Sequence, residues 1–67
     1  MSTALLHRCR DAKQRGVAFP GIWHTILKTS QLVSGLPIQI APGRIAVPLM
    51  GGLHIVFYTD TGQFELE

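Results

Sequence analysis

Three histidines, one cysteine, one tyrosine and four carboxylates are the side chains in this 67-residue sequence that could carry acid–base, nucleophilic or metal chemistry. His54 is the best placed of them. It follows Gly51-Gly52, and a period of two puts it on one strand face with Tyr58, with Glu65 and Glu67 on the next strand. A histidine can move protons, as in small ribonucleases, but that reaction needs further polar partners, and only Tyr58 and the Glu65/Glu67 pair are near enough in pattern. His7 and Cys9 are two apart and point in different directions on a helix, so they make poor joint ligands. His24 and His54 fall on separate elements, and no metal site is expected. Cys9 lies on an apolar helix stripe, where a thiol acts as a small hydrophobe rather than a nucleophile. The glycines show neither dinucleotide-binding spacing nor a phosphate-loop lysine and hydroxyl. The chemistry-bearing residues therefore predict no enzyme, no catalytic residue, no cofactor and no metal.

The elements that must position these residues follow from periodicity and punctuation. Ser2 or Thr3 can cap a first helix from about Ala4 to Arg15, with Leu5, Cys9 and Ala12 as its apolar stripe and Leu6 at one edge. Gly16 ends it, with Val17 packing back. After the Phe19-Pro20-Gly21 break, Ile22, Ile26, Thr29 and Val33 form the face of a second helix, flanked by Trp23 and Leu27 and opposed by His24, Lys28 and Gln31. Gly35-Leu36-Pro37 is its stop signal. The period then changes to two. Ile38, Ile40, Ile45, Val47, Leu49, Leu53, Ile55, Phe57, Phe64 and Leu66 can all point to one core face of a sheet. Pro42-Gly43 suits a type II turn, Gly51-Gly52 a two-residue hairpin loop, and Thr59-Asp60-Thr61-Gly62 the last reversal. Pro48 conflicts with an internal strand, so strand two is either bulged there or at an edge. The expected fold is α+β over residues 1–67 as one domain: two N-terminal helices in 1–35 packed on a four-stranded antiparallel β-meander in 36–67.

Size and charge narrow the function. A 67-residue chain builds a core that barely offsets chain entropy. With a single cysteine, no intrachain disulfide can help, which leaves a partner chain as the source of extra burial. An apolar fraction of 46% agrees, since some of that surface must stay exposed on a monomer. The second sheet face, with Met50, His54, Val56 and Tyr58 at its centre, is the expected partner-binding surface, and Trp23 beside the helix break is a further anchor. No run is long and apolar enough to span a membrane, no signal peptide is indicated, and a cytoplasmic location without membrane contact is expected.

Arg8, Arg10, Lys13, Arg15 and Lys28 make the helical end basic, while Asp60, Glu65 and Glu67 make the β end acidic. A nucleic-acid reading of those five cations is the main alternative. The helical wheel splits them, with Arg8 and Arg15 on one side of the apolar stripe and Arg10 and Lys13 on the other. A third possibility is an oligomer that holds a small ligand such as a nucleotide between subunits.

The segment Gly16-Val17-Ala18-Phe19-Pro20-Gly21-Ile22-Trp23-His24-Thr25-Ile26-Leu27-Lys28 resembles short reading frames of proteobacterial phages and other mobile elements. The resemblance implies a phage-encoded accessory protein that binds and inhibits a host defence or regulatory complex, and it assigns no residue a role. Taken together, the sequence predicts a small non-enzymatic protein acting by protein–protein interaction, as a homo-oligomer, with a dimer favoured, or on a host protein.

Overall fold

The computed structural model describes residues 4–67, so the capping residues Ser2 and Thr3 lie outside the described residues. The chain is α+β: helical segments first, then a four-stranded antiparallel sheet in the order β1-β2-β3-β4. It divides into two compact units, Met1–Ser30 and Gln31–Glu67, and the boundary falls ahead of the expected position 35.

In the first unit, α1 (Ala4–Gln14) buries Leu5, Cys9 and Ala12, the expected stripe, and leaves its other faces to solvent. Its end is closed as the glycine requires. Gly16 takes φ +82°, its N–H reaches the Lys13 carbonyl at 2.9 Å, and the Val17 N–H reaches Ala12 at 3.0 Å, satisfying carbonyls that the last turn leaves unpaired. The second helix opens on Pro20 as α2 (Phe19–Ile22) and widens at once into a π-helical turn, Trp23–Leu27, in which the Lys28 N–H reaches back to Trp23 at 2.8 Å. Ile22, Ile26 and Leu27 are buried.

This helix stops well before Gly35. The Ser30 N–H closes a short turn on Leu27 at 3.1 Å, Thr29 is exposed rather than on an apolar face, and Val33, already in the second unit, forms an antiparallel bridge with Leu49. Thr29, Ser30, Val33 and Ser34 are poor helix formers, because their branched or hydroxyl side chains restrict rotamers or compete for the backbone. Extended pairing takes Val33 and Ser34 instead: Ser34 N–H donates to Pro48 at 2.9 Å and Met50 N–H to Leu32 at 2.7 Å, on either side of the Val33–Leu49 bridge.

The sheet comprises β1 (Ile38–Ala41), β2 (Arg44–Pro48), β3 (His54–Tyr58) and β4 (Gln63–Leu66). Gly43, at φ +74°, sits where a type II turn after Pro42 needs a positive φ. The β2–β3 loop is one residue longer than expected. The Leu49 N–H meets the Leu53 carbonyl at 2.7 Å around Met50-Gly51-Gly52. Pro48 is neither in a bulge nor on an outer strand. β2 lies between β1 and β3, and beside Pro48 regular β1 pairing has ended: Pro48 accepts one hydrogen bond, from the Ser34 N–H at 2.9 Å, and as a proline returns none.

The bulge is elsewhere, and it changes which residues face where. A plain hairpin on Pro42-Gly43 would set Ile40 opposite Ile45 and Ile38 opposite Val47. Instead Ala41 opposes Arg44, Gln39 opposes Ile45 and Ile38 opposes Ala46, which makes Ile40 an extra residue. One extra residue turns the rest of the strand over. Ile38 and Ile40 therefore leave the expected core face. Of the residues expected there, Val47, Leu49, Ile55 and Phe57 are buried, Ile45, Leu53 and Phe64 half-buried, and Leu66 exposed. The Phe57 and Phe64 rings stack on that face, 5.4 Å apart.

Candidate protein-binding face

The other face of the sheet is built from cross-strand rows. Arg44, Tyr58 and Gln63 form the first, Ile38, Ala46, Val56 and Glu65 the second, and Pro48 and His54 the third, with Glu67 exchanging both backbone hydrogen bonds with His54 at 2.7 and 2.8 Å. Residues directly opposite one another share a face, so these side chains stand together.

Ala46 and Val56 are 6% and 4% exposed, and they form the floor of a groove of about 210 Å³ walled by Ile40, His54 and Glu67. Beside this floor Ile38 and Ile40 remain 59% and 56% exposed. The bulge thus moves two isoleucines from the core face to an open one and sets them against the small Ala46.

The polar rim is ordered at one end. The Arg44 guanidinium lies over the Tyr58 ring, 5.2 Å from its centroid, and the Tyr58 hydroxyl donates to Glu65 Oε2 at 3.3 Å. Loss of solvation, then the Glu65 carboxylate and its hydrogen bond, then Glu67, raise the Tyr58 phenol above its ordinary pKa, against a smaller lowering by Arg44.

His54, Val56 and Tyr58 do share this face. Val56 is buried beneath it, so it supports the surface rather than meeting a partner. Met50 is 60% exposed but sits in the β2–β3 loop, outside the groove. Trp23 is half-buried in the helical unit. Ile38, Ile40 and Arg44 were not expected here. The two isoleucines follow perfect alternation, and a bulge without glycine carries no composition signal that would have moved them.

Of the five cations, Arg8 and Arg15 come together on one cleft of about 340 Å³ with Asp11, Thr25 and Ile26. Arg10, Lys13 and Lys28 do not line it. A carboxylate between the two guanidinium groups offsets the positive potential a phosphate backbone would need. Cys9 is fully buried, and desolvation raises its thiol to about 11 against a lowering by Arg8. Among the described residues, no three of His, Cys, Asp and Glu gather at a metal-sized site, and no helix is long and apolar enough to cross a membrane.

Comparison of the chain with protein families, with curated proteins and with solved structures finds no match.

Proposed function

We propose that this chain is a small non-enzymatic binding protein that works by docking another protein on the open face of its sheet. The observation that carries the reading is the pair Ile38 and Ile40, each more than half exposed beside a groove floored by buried Ala46 and Val56. An apolar centre with a rim of Tyr, Arg, His and Glu is the anatomy of a protein interface. The likeness of Gly16–Lys28 to mobile-element reading frames directs the search to a host defence or regulatory complex as partner.

The test is capture from host lysate by the immobilised chain and by its His54→Asp and Tyr58→Asp variants. The reading expects a stoichiometric protein on the wild type and about a tenfold loss on the variants, the scale of one interface anchor. Nothing retained, or equal retention by all three, would overturn it.

A further inference from the structure

We infer that two copies of this chain join side by side through their β1 strands, antiparallel, with Gln39 of each copy facing Gln39 of the other. The inference extends the docking-face reading, because it places two open faces in one continuous sheet, and its test is separate.

The two outer strands of the sheet are guarded differently. β4 carries Glu65, with Glu67 just beyond it, and charge of this kind keeps an outer strand from pairing with a foreign one. β1 carries no charge of this kind, and its short length, its bulge and the flanking Pro37 and Pro42 leave only a short stretch of open edge. No charged side chain occurs from Thr29 to Gly43, and Leu36, Ile38 and Ile40 are 74%, 59% and 56% exposed.

The ladder also shows which backbone groups are open. The Thr59 N–H donates to Gly43 and the His54 N–H to Glu67, so Arg44–Tyr58, Ala46–Val56 and Pro48–His54 are the non-exchanging pairs of β2 with β3. Ala46 then directs its backbone groups to Ile38, and Gln39, next along β1, directs its own N–H and C=O away from β2 to the open edge.

The occupant follows from electrostatics and symmetry. An uncharged strand offers nothing to select a charged foreign partner, and two copies approach without placing like charges together. A twofold axis beside Gln39 lets its backbone N–H donate to the Gln39 C=O of the other copy and its own C=O accept in return, the self-complementary arrangement of a symmetric pair. The same axis brings Ile38 beside Ile40 of the partner, so the apolar strips of both copies become one. Pro37 and Pro42 bound the paired stretch, which is short. A standard interface takes about 800 Å² from each partner, just under a fifth of the 4319 Å² surface here, so the pairing is reversible and concentration-dependent.

Light scattering on a sizing column tests this. The wild-type mass should rise with concentration from 7.4 kDa towards twice that value, and Gln39→Lys, which sets two ammonium groups opposite each other, should stay at 7.4 kDa while keeping the wild-type circular dichroism. In a second variant, Gln39→Cys, oxidation should give a covalent dimer within minutes, without competition from the buried Cys9. A wild type that stays single up to millimolar concentration, a Gln39→Lys that assembles like the wild type, or an assembled Gln39→Cys that does not crosslink would each overturn the inference. None of these outcomes depends on His54 or Tyr58, so loss of partner capture and loss of self-pairing are told apart.

Discussion

The helical unit buries its apolar residues on one side and the sheet unit on two. In α1 the buried positions are Leu5, Cys9 and Ala12, three or four apart, and everything between them meets solvent or nearly so. In β3 the buried residues are consecutive, Ile55, Val56 and Phe57, and consecutive strand residues point to opposite faces. The central strand therefore buries side chains on both of its faces before any partner arrives. A substitution on the outward side of α1 has little to disturb, whereas no position in the centre of β3 is free.

The sharpest way to break this contrast is to place a charge at two positions of one row. Val56→Asp strands a carboxylate in a buried site and should cost more than about 3 kcal/mol, enough to abolish cooperative thermal unfolding. Ile38→Asp, in the same row but exposed, should cost less than about 0.5 kcal/mol. Equal losses would show that the open face is not open.

The helical unit supplies the next largest effect, and it is set by pH. The Cys9 thiol is raised from 9.0 to about 11 when folded, so the unfolded chain releases its proton first as pH rises. Its contribution is complete below pH 9 and declines from pH 9 to about 11, by about 3 kcal/mol in all. Denaturant midpoints across that window should fall in the wild type and fall less in Cys9→Ala. The folded thiol should also resist a disulfide reagent at neutral pH.

In the sheet unit, Gly43→Ala should cost about 1–2 kcal/mol, because an L side chain at φ +74° brings its Cβ against the following carbonyl. The same change at Gly35, whose φ is not positive, meets only the Pro48 ring at 3.1 Å and should cost less. The smallest effect is spectroscopic. The Tyr58 phenol should titrate above an ordinary tyrosine, and Glu65→Gln should bring it back towards that value, followed by ultraviolet absorbance.

The two units also differ in how much of them the sequence discloses. A helical stripe depends only on the chain's own spacing, and Leu5, Cys9 and Ala12 could be placed, with the Gly16 stop, from residue types alone. A strand's facing depends on its neighbour's register. Ile38 and Ile40 alternate perfectly, yet the single extra residue at the bulge reverses them, and with them the most exposed part of the candidate surface. Turn chemistry was legible at Pro42-Gly43, where the third position takes a positive φ that glycine adopts most readily. The end of the second helix was not. Gly35-Leu36-Pro37 has the composition of a helix stop, but it leads into β1, and the helix ends earlier because Val33 and its neighbours find partners in the sheet. His54 and Tyr58 were placed correctly on their face. Arg44 was missed, because its partnership with Tyr58 comes from strand pairing and not from spacing along the chain.

The wide turn at Trp23–Leu27 holds one residue more than a regular helical turn, because Lys28 reaches back five positions to Trp23 rather than four. That surplus gives the two helical segments unequal tolerance of length change. Loss of His24 would restore regular spacing and shorten the axis by about 1.5 Å, with Ile22, Ile26 and Leu27 still present to be buried. Loss of one residue between Leu5 and Ala12 would turn half the α1 stripe by about 100° and carry an apolar side chain into water. A one-residue deletion is therefore expected to leave the fold intact in the second helix and to disrupt it in the first.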